Sequence, residues 1–515
     1  MSKLFNQVSF GKPQRSLIDL SHEKKMSMNM GDLVPFMLLE TVPGDKFRMN
    51  VESLVRFAPL VAPVMHRVNA YFHFFYVPNR LVYDKFEQWV TGGADGKQSA
   101  QTALPYLYTN SGNIENWKIG SLADYMGLPL SDGTVPIPDA NRINISALPF
   151  RAYQLIYNQY YRDQNLTPEV PITTHEGLIT DPTEIAETLA LRHRSWEKDY
   201  FTSALPWSQR GDEIELPTSI EYKQHSVFKD SQGETPSSGG PLSTSTIDAN
   251  GGRYIGDGID TGRIENLEGI GITINDLRRS ARLQEFLEKT ARGGSRLTEV
   301  VKAFFGVNSS DSRLQRAEFL GGCKNPVQIS EVLSTFNNTE VPGANMYGHG
   351  VSTGNSKYIK KYCEEFGYII GIMSVIPRTA YANQGIHKMW RKFDKYDLYW
   401  PTFAQLGEQE VKEWEIYVEQ YGQTPTYGTF GYQSRYAEYK HMTSQVAGDF
   451  RKTLNYWHMA RIFDQMPVLN TDFVESEIIN RVFADTESDV HHLWVQLYND
   501  VKAVRPMPYF NNPIL

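Results

Sequence analysis

The stretch YFHFFYVPNRLVYDKFEQWVTGG at residues 71–93 joins two kinds of element through a proline. Apolar side chains occupy alternate positions from residue 65 to 77, which predicts a strand with one apolar face. Pro78 cannot donate to a sheet ladder, and apolar positions then recur at helical spacing until Gly92 and Gly93. A strand that leads into a short amphipathic helix must pack against something larger.

The composition is typical of a large folded protein that folds in a reducing compartment. Aromatic residues make up 12% of the 515 residues and charged residues 21%, which is ample material for a core and for contact surfaces. The only cysteines, Cys323 and Cys363, exclude a disulfide framework and a four-cysteine zinc site. The first residues lack the apolar run of a signal peptide, so we expect the protein to remain in the compartment of its synthesis.

Charge is distributed unevenly along the chain. The formal net charge of −8 excludes a histone-like binder. Residues 1–30 nevertheless carry an excess of three positive charges, and residues 278–316 carry an excess of five. These two segments are candidates for contact with a polyanion, although each is equally compatible with a solvated charged face.

Periodicity divides the chain into an arm, strands and inserted helices. Residues 1–60 have weak periodicity, which predicts an extended N-terminal arm. A helix is expected after Ser146, with Pro149 in its first turn. A helical insertion is expected at 275–306, ending at Gly306.

The sequence of the remaining segments predicts strands and one exposed protrusion. Residues 366–377 are apolar at successive positions, which predicts a strand covered on both faces. The C-terminal segment alternates and then breaks at prolines into a second arm. Residues 224–265 are rich in Gly, Ser, Thr and Asp, so we expect an exposed protrusion. Scattered strands with insertions favour a single antiparallel β domain over residues 61–515.

No motif indicates catalysis. The segment GVSTG around Ser352 has the spacing of a nucleophile elbow but lacks the flanking strand and helix, so we interpret it as a glycine-rich loop. The histidines include no His-Glu-x-x-His motif, and the adjacent His491 and His492 should point to opposite faces of a strand. We therefore predict no catalytic residue, no metal site and no cofactor, which favours a structural or binding protein.

Several segments, in order along nearly the whole chain, resemble the major capsid proteins of the Microviridae, most closely the gokushovirus branch. The matching segments are RSLIDLSHEKK from Arg15, PFMLLETVPGDKF from Pro35, the stretch at 71–93, YQLIYNQYYRDQNL from Tyr153, ARGGSRLTEVVKAFFGVNSSDSRLQRAEFLGG from Ala291, FGYQSRYAEYK from Phe430 and VKAVRPMPY from Val501. Residues 224–265 have no such match.

The resemblance implies a mainly β fold, an eight-stranded antiparallel viral jelly roll with long loop and helix insertions and extended terminal arms. It also implies a T=1 icosahedral shell of identical copies around a circular single-stranded DNA genome. The expected partners are other copies of the chain, a small basic DNA-packaging protein, a minor or pilot protein and a host-cell surface receptor. The expected location is the virion, assembled in the bacterial cytoplasm.

Three groups of residues are the candidate sites. The DNA-binding candidates in the N-terminal arm are Lys3, Phe5, Phe10, Lys12 and Arg15, because cations can contact phosphates while rings stack on bases. The candidates for subunit contact are Tyr153, Tyr157, Tyr160 and Arg279. The tyrosine stripe suits a core equally well, and Arg279 could meet DNA or the acidic segment at 407–420. The candidates for host contact are Val227, Phe228 and Ile255, in a protrusion expected at a three-fold axis.

Two other classes of function compete with this interpretation. A jelly roll also serves as a glycan-binding module, which would form a small soluble oligomer rather than particles. A hydrolase based on Ser352 ranks third.

Overall fold

The computed structural model describes most of the chain. The described residues are 14–91, 103–128, 138, 141–211, 274–293, 296–308, 310–335, 343–418, 427–487 and 489–510. Their strands are β1 Ser16–Asp19, β2 His22–Met28, β3 Val34–Thr41, β4 Lys46–Phe57, β5 Val68–Pro78, β6 Tyr106–Tyr108, β7 Asn144–Ser146, β8 Glu318–Leu333, β9 Met346–Asn355, β10 Ile359–Tyr362, β11 Gly367–Pro377, β12 Glu408–Lys412, β13 Thr429–Ser434 and β14 Leu493–Arg505. Their α-helices are α1 Phe86–Thr91, α2 Leu122–Tyr125, α3 Leu148–Ile156, α4 Pro182–Leu189, α5 Ile274–Gly293, α6 Leu297–Phe305, α7 Glu413–Ile416, α8 Ala437–Lys440 and α9 Thr471–Val474.

One large antiparallel sheet organises the fold. Its strands follow the order β1-β14-β4-β9-β8-β5-β11-β3, while β2 also pairs with β14 and β10 also pairs with β4. The pairs β6-β7 and β12-β13 form separate small ladders. The predicted mainly β, antiparallel jelly-roll class is confirmed, and the main sheet holds ten strands in the described part of the chain.

The opening stretch supplies a central strand. In β5, alternate side chains from Val68 to Tyr76 enter the main core, as predicted. The prediction of only one apolar face was wrong, because Phe75 and Val77 enter a second core on the opposite face. The helix after Pro78 is shorter than expected, a 3₁₀ turn followed by α1, and its expected glycine stop lies outside the described residues.

The second core is formed by α3 packed against the back of β5. Pro149 lies in the first turn of α3, as predicted, and the Ser146 hydroxyl accepts the backbone N–H of Leu148 at 3.3 Å although the N-cap position is Ala147. Ser146 is itself the last residue of β7. The helix continues as a π-helical turn, Tyr157–Tyr161. Phe75 meets Tyr160 across this layer, with ring centroids 4.9 Å apart.

The described part of the expected N-terminal arm is integral to the sheet. Residues 16–57 contribute β1 to β4, and buried side chains such as Phe36, Met49 and Val55 enter the main core. The arm prediction is therefore wrong for these residues. Pro35 obscured the pattern, yet it is tolerated because β3 is an edge strand whose outer side needs no donor.

Two later strands agree with the predictions. Strand β11 is buried on both faces from Ile369 to Pro377. Strand β14 alternates between inward and outward side chains, with Leu493 and Leu497 buried and Trp494 exposed. Both results follow from local sequence patterns, continuous apolar and alternating respectively.

The chain divides into two compact units, Met1–Ser208 with Gly293–Leu515, and Gln209–Arg292. The first unit contains the whole main sheet. The described part of the second unit is mainly α5, which confirms the predicted helix and carries an ion pair between Lys289 and Glu285 at 2.7 Å. Helix α6, in the first unit, ends at Gly306 with φ +68°, as predicted. Within the described residues no helix combines the length and apolar character needed to cross a bilayer.

Candidate assembly surface

A dense group of apolar side chains faces solvent on the segment between β11 and β12. We call residues 386–406 the aromatic platform. Its large apolar members are 39% to 78% exposed: Ile386, Met389, Trp390, Phe393, Tyr396, Leu398, Tyr399, Trp400 and Leu406. So many large exposed apolar side chains in one short segment are uncommon on a soluble monomer and indicate a contact surface.

Short turns fix the backbone of the aromatic platform. Three 3₁₀ turns follow one another: Lys388–Arg391, Lys395–Asp397 and Pro401–Phe403. The Asp397 carboxylate accepts the backbone N–H groups of Phe393 at 3.0 Å and Asp394 at 2.9 Å. These hydrogen bonds hold the pKa of Asp397 below its usual range, because they favour the ionised form.

The start of the aromatic platform is attached to α7. The backbone N–H of Gly385 donates to Ile416 O at 3.1 Å, and that of Ile386 donates to Trp414 O at 2.8 Å. A Cβ atom on Gly385 would lie 2.0 Å from Trp414 O, so only glycine permits this approach. The rings are thus presented to solvent by a backbone that is already ordered.

Two lysines at the base of the aromatic platform are satisfied within the chain. Lys392 lies 3.5 Å from the Glu438 carboxylate, and Lys388 donates to Glu410 O at 3.2 Å. Burial would raise the pKa of Glu438, but the hydrogen bond from Gln409 and the two lysines outweigh it and lower that pKa. Two further cations, Arg391 and Lys395, are exposed and lie 5.2 Å and 4.9 Å from the ring centroids of Phe393 and Tyr396. The surface therefore offers large exposed rings together with cations, and such aromatic and arginine side chains are enriched in protein interfaces.

The structure places two candidate interface tyrosines in the chain's own second core. Tyr153 is 0% exposed and its hydroxyl donates to Leu33 O at 2.8 Å. Tyr157 is also buried, and burial raises its pKa to about 12. Both tyrosines therefore lie in the core of their own chain, which is the alternative that the sequence left open. Tyr160 is half-buried beneath Arg316, 4.4 Å from the ring centroid, and its interface role stays a prediction.

The remaining candidate residues lie in three places. Arg279 is exposed on α5 in the second unit, and its pairing with an acidic neighbour stays a prediction. Arg15 is exposed immediately before β1. The other candidates lie outside the described residues: Lys3, Phe5, Phe10, Lys12, Val227, Phe228 and Ile255.

The motif GVSTG lies in a strand, not in the expected loop. Ser352 is 1% exposed within β9, and its hydroxyl donates to Pro326 O at 2.9 Å. The flanking glycines are needed because a Cβ on Gly350 would meet the Phe57 ring and one on Gly354 would meet Asn325. In the described residues no group of three or more side chains is placed to hold a metal ion.

Sequence reasoning missed the aromatic platform. Its aromatic residues follow neither a helical nor a strand period, because successive 3₁₀ turns impose none over this length. The available signal was the local density of rings in KMWRKFDKYDLYWPTF, residues 388–403.

Comparisons with known proteins identify the family. The model for "Capsid protein (F protein)" matches residues 6–515. Capsid protein VP1 of Bdellovibrio phage phiMH2K is 34% identical, covering 99% of this chain and 97% of the relative. The VP1 proteins of Chlamydia phage 1 and Spiroplasma virus 4 are 32% and 29% identical, over 100% and 97% of this chain and 98% and 95% of theirs. The chain belongs to the F-protein family of capsid proteins and is a structural component of a phage virion, not an enzyme.

Proposed function

We propose that this major capsid protein assembles into a T=1 icosahedral shell around a circular single-stranded DNA genome, and that the aromatic platform is a surface through which copies meet. The observation that carries the proposal is the exposure of large rings such as Trp390, at 71%, and Phe393, at 78%. The relatives are named as capsid proteins, which supports self-association.

The physical basis of assembly is many modest contacts. Aromatic rings supply large contact area with few rotatable bonds, and the ordered backbone of the aromatic platform lowers the entropy cost of binding. A closed shell engages several such surfaces on each copy at once. Removing one copy then requires several contacts to break together, which makes the shell stable although each contact is weak.

Genome contact is proposed for the N-terminal residues. Lys3, Lys12 and Arg15 would contact phosphates while Phe5 and Phe10 stack on bases. The chain as a whole carries a formal charge of −8, so it cannot neutralise a genome by itself. A small basic DNA-packaging protein is therefore a proposed partner, together with a minor or pilot protein.

Host attachment is proposed for residues 224–265, including Val227, Phe228 and Ile255. Their Gly, Ser and Thr content cannot bury enough apolar area to form a core. Deletion of residues 231–258 should leave shells intact and abolish adsorption to the host. Normal adsorption by the deletion virus, or collapse of its shells, would contradict this assignment.

The test of the main proposal uses the full chain expressed in bacteria and purified virus. Electron microscopy and sedimentation should show closed particles of uniform diameter, and nuclease treatment should leave protected circular single-stranded DNA in the virus. A small soluble oligomer that binds glycans and never closes into particles would favour the glycan-binding alternative.

A further inference from the structure

A basic groove lies on the face of the main sheet that points away from the main core. Its volume is about 500 Å³, and it is lined by residues of β1, β4, β10 and β14 and by the turn before β10. The side chains that matter here are Lys46, Arg48, Lys360, Lys502, Tyr358 and Tyr362. This groove is separate in sequence from the aromatic platform.

Strand register places three cations side by side in the basic groove. Lys502 is paired directly with Arg48, and Arg48 directly with Lys360, across three neighbouring antiparallel strands. Like charges directly opposite one another destabilise a sheet. The row therefore carries a repulsion that binding of an anion would relieve.

Acidic side chains of the described residues compensate only part of the positive charge of this row. Lys502 lies 2.8 Å from Asp19 and 3.8 Å from Asp500. Among the described residues, Arg48 and Lys360 have no acidic side chain within ion-pair distance, and both are exposed. Two cations in the row are thus available to an external ligand.

Tyrosines are interleaved with these cations. The Arg48 guanidinium lies 3.8 Å from the centroid of the Tyr358 ring, whose hydroxyl donates to Asp500 at 3.0 Å. This arrangement orients the guanidinium in advance. Tyr362, paired directly with Lys46, is 47% exposed and offers a ring for stacking.

We propose that the basic groove binds single-stranded nucleic acid, with Arg48 and Lys360 on phosphates and Tyr362 stacked on a base. Alternating cations and rings match the alternating phosphates and bases of a single strand, whereas an acidic peptide would use the cations alone. Leu17 also lines the groove, and the basic residue Arg15 directly precedes β1. The inference rests on the proposed enclosure of a DNA genome.

The test measures binding of a fluorescent oligo(dT) to the full-length chain by anisotropy, between about 50 and 200 mM salt. The double variant Arg48→Gln/Lys360→Gln should weaken binding about tenfold or more, and should lower the slope of log K against log salt by about 1.4, since each phosphate contact contributes about 0.7. Tyr362→Leu should weaken binding about tenfold with an unchanged salt slope, because it removes stacking rather than charge.

The matched control is Lys440→Gln, an exposed lysine on α8, which should change neither quantity. The double variant should melt at the same temperature as the native chain or higher, because it relieves repulsion. Unchanged oligo(dT) affinity and salt slope in the double variant would overturn the inference. Loss of poly-glutamate binding without loss of oligo(dT) binding would overturn it in favour of an acidic protein partner.

The two proposals fail in different ways. If native virus contains nuclease-protected DNA while the double variant binds oligo(dT) normally, the proposed function stands and the basic groove is not the site. If native virus contains no protected DNA, the proposed function itself fails.

Discussion

Replacing Phe393 by serine should weaken assembly without weakening the fold. The side chain is 78% exposed in the isolated chain, so little of its surface supports the folded state. Complete burial of a phenylalanine side chain is worth about 1.5–3 kcal/mol. Burying the exposed 78% in a contact between copies is then worth about 1.2–2.3 kcal/mol, and its loss should weaken that contact by about one to two orders of magnitude.

The assay is the critical concentration for assembly, measured by sedimentation velocity over a dilution series. Phe393→Ser should raise it about tenfold or more, while the melting temperature of the unassembled chain stays unchanged. Phe393→Leu is the control, because it retains most of the apolar area and should assemble nearly as the native chain does. If the serine variant assembles at the native concentration, the aromatic platform does not bind another copy.

Three further predictions concern the folded chain. Glu197 accepts hydrogen bonds from Tyr71, Arg378 and Lys324; burial opposes these bonds, but they prevail and lower its pKa from 4.5 to about 2. A carboxyl with a depressed pKa stabilises the fold above its unfolded pKa. The contribution of Glu197, about 1–2 kcal/mol after solvent screening, should therefore be lost as the pH falls from 4.5 to about 2. The urea midpoint of the Glu197→Gln variant should accordingly depend less on pH in this range than that of the native chain. Gly371→Ala should destabilise the chain by about 1–3 kcal/mol in thermal denaturation, because the new Cβ would lie 2.6 Å from the Phe36 ring, which is held edge-on by Phe72 and Phe74; native stability would show that this core repacks freely. Ser352→Ala should cost about 1 kcal/mol from one lost hydrogen bond and leave particle formation and infectivity intact, and abolished infectivity with intact particles would revive the hydrolase alternative.

Local sequence patterns were sufficient to predict several elements of the fold. The continuous apolar run of β11, the alternation of β14 and the glycine at the end of α6 each depend on neighbouring residues. Such signals arise from backbone geometry and side-chain direction, which act within a few residues. The family resemblance, confirmed over residues 6–515, supplied the fold class.

The same patterns failed where the burial or the pairing of a segment depends on residues distant in the sequence. Alternation in β5 was visible, but its second apolar face is explained only by α3, which follows it by some distance in the sequence. Residues 16–57 became strands of the main sheet because distant partners such as β14 and β11 pair with them.

By itself, the sequence determined the elements with a clear local pattern, such as strands β5, β11 and β14 and helices α3, α5 and α6. Only the tertiary structure decided that Tyr153 and Tyr157 lie in a core while Trp390 and Phe393 face solvent. It also aligned Arg48, Lys360 and Lys502, which come from three segments of the chain, in one row. The physical reason is that periodicity fixes the direction of a side chain, whereas burial and charge proximity depend on partners brought together by long-range strand pairing.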